Sequence, residues 1–297
     1  MFSTWMKNRE LSSGTQQEYL YNVRRFLVFL KEMSFGEATK LEVMEFLTEE
    51  REKHQNTAST RNRKLMAIRA FYRALNDLNV YTGNPAKEVD AAKTVKEKLP
   101  TYLDRKAWLA FLESVPNSPF EIRDKGMFRL MVEAGLRVSE VQKMNTTHLD
   151  RENSGIHVTG KGNKQRFIPI SPSLMSFLQL VIDQRIPPKP SDPYALFVSR
   201  NGTRITRRRI QQIAEGIFEK LPAMEGLEHL EGLGLSCHKL RHTFGTNLMR
   251  SGADLRTAQE LMGHESPATT QIYTHVNNEQ KRNAIDQLHS FLNSSDD

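Results

Sequence analysis

Cysteine is nearly absent from this chain. Cys237 is the single example in 297 residues. One thiol cannot form an intramolecular disulfide, so the sequence reads as a cytoplasmic protein held together by apolar cores. Long hydrophobic runs are missing as well. No stretch approaches the roughly 18 apolar residues of a membrane helix. The opening segment, MFSTWMKNRELSSGT, lacks the apolar block of a secretory signal. There is no internal repeat, no low-complexity tract, no ATP-binding motif and no evident metal cluster. These absences exclude a membrane span, a disulfide scaffold and a repeat array.

What is present suits a soluble globular protein: 38% hydrophobic and 26% charged residues. The length suggests two domains, each able to bury its own core. Lys and Arg number 42 against 35 Asp and Glu, a formal charge of +7. That excess points to a polyanionic partner. Nucleic acid fits better than a membrane surface, because no basic amphipathic helix dominates the chain.

The first part reads as helical. Tyr19, Val23, Phe26, Leu27 and Leu30 recur at helical spacing, as do Leu41, Met44, Phe46 and Leu47. A third helix runs from after Thr57 to about Leu78, with Leu65, Ile68, Phe71, Tyr72 and Leu75 on its apolar stripe. It also carries Arg61, Arg63, Lys64, Arg69 and Arg73, with no acid before Asp77. A helix so one-signed reads as a nucleic-acid surface. Periodicity fails over YTGNPAKEVDAAKTVKEKLP, so the expected domains are 1–95 and 96–297.

The second part mixes helices with short strands. Helices are expected at 104–113 and 119–134, the latter stopped by Gly135. GIHVTGKGNKQRFIPI suggests two strands around a tip, and LFVSRNGTRIT a hairpin turning at Asn201-Gly202. Further helices are expected at 207–220 and, capped by Ser236, at 238–250. Another opens at Ser266-Pro267 and carries Tyr273. The fold class is therefore mostly α with small β-sheet elements: a helical N-terminal domain plus an α+β catalytic domain.

The chemistry gathers in short boxes. AGLRVSE supplies Arg137, TGKGNKQR supplies Lys161, HKLRH supplies His238 and Arg241, LMGHE supplies His264, and QIY supplies Tyr273. His238 and His242 have a zinc-compatible spacing, but no glutamate lies between them and no third ligand is evident. The set suits a phosphodiester held without metal or cofactor. Two guanidiniums can pair with non-bridging oxygens and neutralise a five-coordinate transition state. Lysine can protonate a leaving alkoxide. Tyrosine can store the bond energy as a covalent phosphodiester.

The order and spacing of these boxes resemble the tyrosine recombinase (lambda integrase) family, most closely its Xer branch. The matching segments are AGLRVSE, VTGKGNKQRFIPI, HKLRHTFGTNLMRSGADLRTAQELMGHESPATTQIYTHV and, earlier, TRNRKLMAIRAFY. The resemblance implies a core-binding domain followed by a catalytic domain. It implies that Tyr273 attacks the scissile phosphate, giving a 3′-phosphotyrosine and a free 5′-hydroxyl, with strand exchange through a Holliday junction. Arg137 and Arg241 would clamp the phosphate and Lys161 would be the general acid. His238 and His264 would bond the phosphate region, and Glu140 would steady the basic residues.

The same resemblance implies double-stranded DNA as partner and a homotetramer on synapsed sites, alone or with a related recombinase. The helix at 57–78 would face the major groove. Arg200, Arg204, Arg207, Arg208 and Arg209 place five arginines in ten residues and are read as phosphate and groove contacts. The tail after Val276 reads as a helix with Ala284, Ile285, Leu288, Phe291 and Leu292 on its stripe. It either packs on its own domain or, as in the family, enters a neighbouring protomer. KLPAMEGLEHLEGLGLSC, 220–237, departs from the family by its length and glycine content. The alternatives are a type IB-like topoisomerase, an accessory DNA-binding protein without strand exchange, and a metal-dependent hydrolase at His238 and His242.

Overall fold

The computed structural model describes residues 1–93, 102–160, 165–263 and 278–293. The chain divides into two compact units, Met1–Glu97 and Lys98–Asp297. No helix among the described residues is long and apolar enough to cross a membrane.

The first unit is helical: α1 (Phe2–Asn8), α2 (Ser13–Leu30), α3 (Lys40–His54) and α4 (Ala58–Asp77). Side-chain oxygens start the last three. Ser12 accepts from the Thr15 amide and Thr57 from the Thr60 amide, while Thr39 and Glu42 form a reciprocal capping box. Phe26, Phe46 and Tyr72 meet in the core, the first two edge to face at 5.3 Å. The buried Tyr72 hydroxyl donates to the Phe35 carbonyl at 2.8 Å.

The stripe expected on α3 is only half right. Val43, Phe46 and Leu47 face the core, but Leu41 and Met44 are 57% and 43% exposed. The inward face follows 43, 46, 47 and 50, which is the helical repeat. Its last position is a glutamate, invisible to an apolar count. Glu50 is buried between Arg25 and Lys64.

The second unit holds α5 (Arg105–Glu113), α6 (Glu121–Glu133), α7 (Val138–Lys143), α8 (Pro172–Gln184), α9 (Arg207–Phe218), α10 (Cys237–Arg250), α11 (Leu255–Met262) and α12 (Asn278–Asn293). A small antiparallel sheet has the order β1 (Leu149–Asp150), β2 (Gly155–Thr159), β3 (Gln165–Pro169). Ile156 lies opposite Ile168. Helix α6 is central, packed on α8 and α10, and buries Met127, Phe128, Leu130, Met131 and Val132. It stops at Gly135, whose φ of +66° suits a residue without a side chain. A Cβ there would overlap the Phe244 ring of α10.

Two local expectations change. The hairpin at 196–206 shrinks to a turn and one bridge, Val198 to Arg204, and the Gly202 carbonyl in that turn accepts from the Lys189 amide at 2.8 Å. Ser236 stands at the start of α10, yet its side chain makes no capping bond. The tail helix α12 packs against its own unit in this single chain, burying Ile285 and Leu288 in the core. The 220–237 segment forms two 3-10 turns with Leu221, Leu227 and Leu230 buried. The expected helix at Ser266-Pro267 lies outside the described residues.

Candidate active site

Arg137 follows the turn at Gly135 and stands at the start of α7. Its amide donates to Glu140 Oε2 at 2.8 Å and its Nη1 to Glu140 Oε1 at 3.0 Å. Glu140 is 5% exposed. From β3, Arg166 gives the same carboxylate two bonds of 3.0 Å, Nη1 to Oε1 and Nη2 to Oε2. Arg241, on α10, lies 3.8 Å from Oε2. One carboxylate is thus enclosed by three guanidiniums. Burial pushes the Glu140 carboxyl up, but Arg166 and then Arg137 outweigh that and hold it below the usual carboxylate range.

The C-terminal end of α11 forms the other wall. Helix ends leave carbonyls without intrahelical partners and carry partial negative charge. Three consecutive carbonyls here each accept from a different arginine. Leu261 accepts from Arg166 Nε at 3.1 Å, Met262 from Arg241 Nη2, and Gly263 from Arg137 Nη2 at 2.8 Å. Gly263 closes α11 at φ +62°, and a Cβ there would sit 3.0 Å from Arg166 Nη1. Arg241 also donates to the Gly135 carbonyl. Burial, then the charge of Arg137, pushes the Arg241 guanidinium down to about 10, so it stays charged at neutral pH.

His238 is exposed on the first turn of α10. Desolvation and the nearby charges of Arg241 and Arg137 depress its pKa, which keeps the imidazole neutral at pH 7. His242 packs edge-on to it at 5.0 Å and is depressed for similar reasons. Arg137, His238 and Arg241 share a cleft of about 210 Å³ with Gln211, Glu215 and Cys237. The guanidiniums around Glu140 outnumber its single negative charge, so the cleft suits an anion. Among the described residues no group of three His, Cys, Asp or Glu gathers as a metal site. Lys161, His264 and Tyr273 lie outside the described residues.

The basic residues expected on a DNA surface divide. Arg63, Arg200, Arg207, Arg208 and Arg209 are exposed. Three others are turned inward. Lys64 is 7% exposed and pairs with Glu50. Arg69 donates to the carbonyls of Ala86 at 2.9 Å and Val89 at 2.6 Å, tying down the segment after α4. Arg204 grips Asp192 with two bonds of 2.7 Å and the Met144 carbonyl at 2.8 Å. These three hold the fold. Arg61 is intermediate, with Nη1 on the Asp90 carbonyl at 3.0 Å. Arg166, which bonds both Glu140 oxygens and the Leu261 carbonyl, was not among the residues the sequence singled out. Its signal was a basic residue in QRFIPI, a strand whose second half is buried.

Residues 101–280 match the phage integrase family, and residues 1–80 match the phage integrase N-terminal SAM-like domain. Tyrosine recombinase XerC of Escherichia coli O157:H7 is 34% identical over 284 residues, covering 95% of this chain and 92% of that protein. This chain belongs to the phage integrase family, the tyrosine recombinases. It is a site-specific recombinase, an enzyme that cleaves and rejoins DNA through a tyrosine intermediate. The fold agrees. The Tn1549 transposon integrase, solved with circular intermediate DNA, superposes with a TM-score of 0.71 at 21% identity, covering 97% of this chain and 98% of that one. The XerH site-specific recombinase bound to its difH substrate gives a TM-score of 0.68 at 20% identity, covering 89% and 79%. Both matched regions lie on one chain, and the described basic cleft falls in the region matched to the integrase family.

Proposed function

We propose that this recombinase cuts each DNA strand by attack of the Tyr273 hydroxyl on a backbone phosphate. The products are a 3′-phosphotyrosine and a free 5′-hydroxyl. Arg137 and Arg241 hold the non-bridging oxygens, and Lys161 protonates the leaving 5′-oxygen. His238 and His264 bond the phosphate region, with neutral His238 able to take the tyrosine proton. Glu140 keeps the guanidiniums aimed. Rejoining is the same step reversed by the 5′-hydroxyl of a partner strand, so a Holliday junction lies between the two exchanges. The bond energy stays in the phosphotyrosine, and neither nucleotide cofactor nor metal enters the balance.

The observation that carries this reading is the convergence of Arg137, Arg241 and His238 on one cleft, with both arginines fastened to the carbonyls that immediately precede His264 in sequence. Preorganised cations that need not move as charge develops are the main source of stabilisation in such a transfer. The partner is a double-stranded recombination site, gripped by an N-terminal domain (1–95) and a catalytic domain (96–297). Arg61, Arg63, Arg200, Arg207, Arg208 and Arg209 contribute phosphate contacts. In this reading four protomers synapse two sites.

The test uses genomic fragments bearing nicks, incubated with the enzyme in EDTA. Loss of the short nicked strand traps the covalent complex, and sequencing identifies the site. Trapping in chelator at discrete loci supports the reading. Adducts that require a divalent ion contradict it.

A further inference from the structure

Three arginines surround Glu140, but two suffice for the phosphate. The third, Arg166, faces away from that task. Its side chain is 14% exposed and all three guanidinium nitrogens are engaged, Nη1 and Nη2 on Glu140 and Nε on the Leu261 carbonyl. It does not line the cleft. We propose that Arg166 is a positioning residue that locks Glu140 and the C-terminus of α11 into one frame, and thereby fixes where Arg137 and Arg241 meet the phosphate. This rests on the catalytic reading above and deepens it.

The geometry gives the reason for an arginine. A planar fork can bond both carboxylate oxygens while its third nitrogen bonds a carbonyl in a second direction. That ties β3, α7 and α11 together at one group. Lysine would present a point charge and lose the second direction. Gly263 completes the fit, since a Cβ there would crowd the Arg166 guanidinium at 3.0–3.3 Å. Without Arg166, Glu140 would remain buried beside Arg137 and near Arg241 with half its acceptor sites empty. A buried carboxylate so placed takes up a proton more readily. Once protonated it would release Arg137. The charged groups facing Glu140 are Arg137 at the head of its own helix, Arg166 from β3 and Arg241 from α10.

The experiment measures covalent-complex formation on a nicked substrate against pH, for wild type, Arg166→Met and Arg166→Lys, together with DNA affinity. Arg166→Met should slow cleavage about 10- to 100-fold at pH 7, as loss of partners that orient a functional side chain does, with affinity unchanged. Its acidic limb should move to higher pH. Arg166→Lys should return the limb towards wild type while recovering only part of the rate. A wild-type rate and limb in Arg166→Met would overturn the proposal. So would a slowed enzyme whose limb stays in place in both variants, since that is what mere loss of packing predicts. Should Arg166→Met fail to fold, the Lys variant decides alone: a reduced rate with the acidic limb displaced to higher pH supports the proposal, and a full wild-type rate or an unmoved limb overturns it. If wild type forms no adduct, the catalytic reading fails instead.

Discussion

The Gly263 carbonyl accepts a 2.8 Å hydrogen bond from Arg137 Nη2, across 126 residues of chain. This joins the first arginine box to the residue just before His264. Arg137 therefore reads the position of the α11 terminus, and its other Nη reads Glu140. Arg137→Lys keeps the charge but cannot make both contacts and still face the cleft. Covalent-complex formation should fall about 10²- to 10³-fold, the effect of losing one preorganised donor, with DNA affinity nearly unchanged. Quench-flow on a nicked substrate and a gel-shift titration measure the two quantities. Equal losses in both would place Arg137 in binding alone.

Glu140 makes acid stability predictable in sign. Its carboxyl is held below the usual range in the folded state. A depressed carboxyl contributes stability that is fully present above its unfolded pKa, about 4.3. That contribution is lost as pH falls through the lower folded value. Glu140→Gln should thus lower Tm at neutral pH, and the gap from wild type should narrow as pH drops below about 4. A gap that widens on acidification would mean that the guanidiniums do not stabilise this carboxylate.

Lys64 and the exposed arginines should behave oppositely. Lys64 is buried against Glu50, so Lys64→Met should cost stability of about 3 kcal/mol, the cost of leaving a buried charge without one of its partners. Salt dependence of DNA binding should not change. Replacing Arg207 and Arg208 by Ala should leave Tm alone and lower the slope of log K against log salt by roughly 0.9 per lost phosphate contact. Arg204→Ala belongs with Lys64, because its guanidinium serves Asp192 and the Met144 carbonyl. Urea melts and salt titrations separate the classes.

Much of this was readable from sequence where the signal is local. The stripe from Leu65 to Leu75 and the one-signed charge defined α4, which the structure starts at a Thr57 cap. The helix-stopping Gly135 set Arg137 at the head of a turn. The sequence also named Arg137, Arg241 and His238, which share the cleft. What it hid was pairing at a distance. Lys64 and Glu50 are 14 positions apart, and Arg69 bonds carbonyls 17 and 20 positions on. Composition counts such cations as surface, although folding spends them on the interior. The short helices α7 and α11 were equally hidden, since six and eight residues carry little periodicity. Arg166 was missed because a strand's alternation says which face a residue takes, but not that a carboxylate 26 positions earlier needs a second fork.

Gly135 gives a check on the scaffold. With φ at +66° and the Phe244 ring against its open side, Gly135→Ala meets both backbone strain and a clash. Overpacking of this kind costs about 1–3 kcal/mol, and left-handed strain adds to it. Chemical denaturation should show a loss at the upper end of that range. A neutral result would mean that α6 and α10 can separate without penalty.

The central claim is the identity of the nucleophile. The direct measurement is mass spectrometry of the DNA-linked peptide from trapped complexes, beside the same trap with Tyr273→Phe. The account predicts a 3′-phosphodiester on Tyr273 in wild type, and DNA binding without adduct in the variant. An adduct on another residue, or an undiminished yield from Tyr273→Phe, would contradict it.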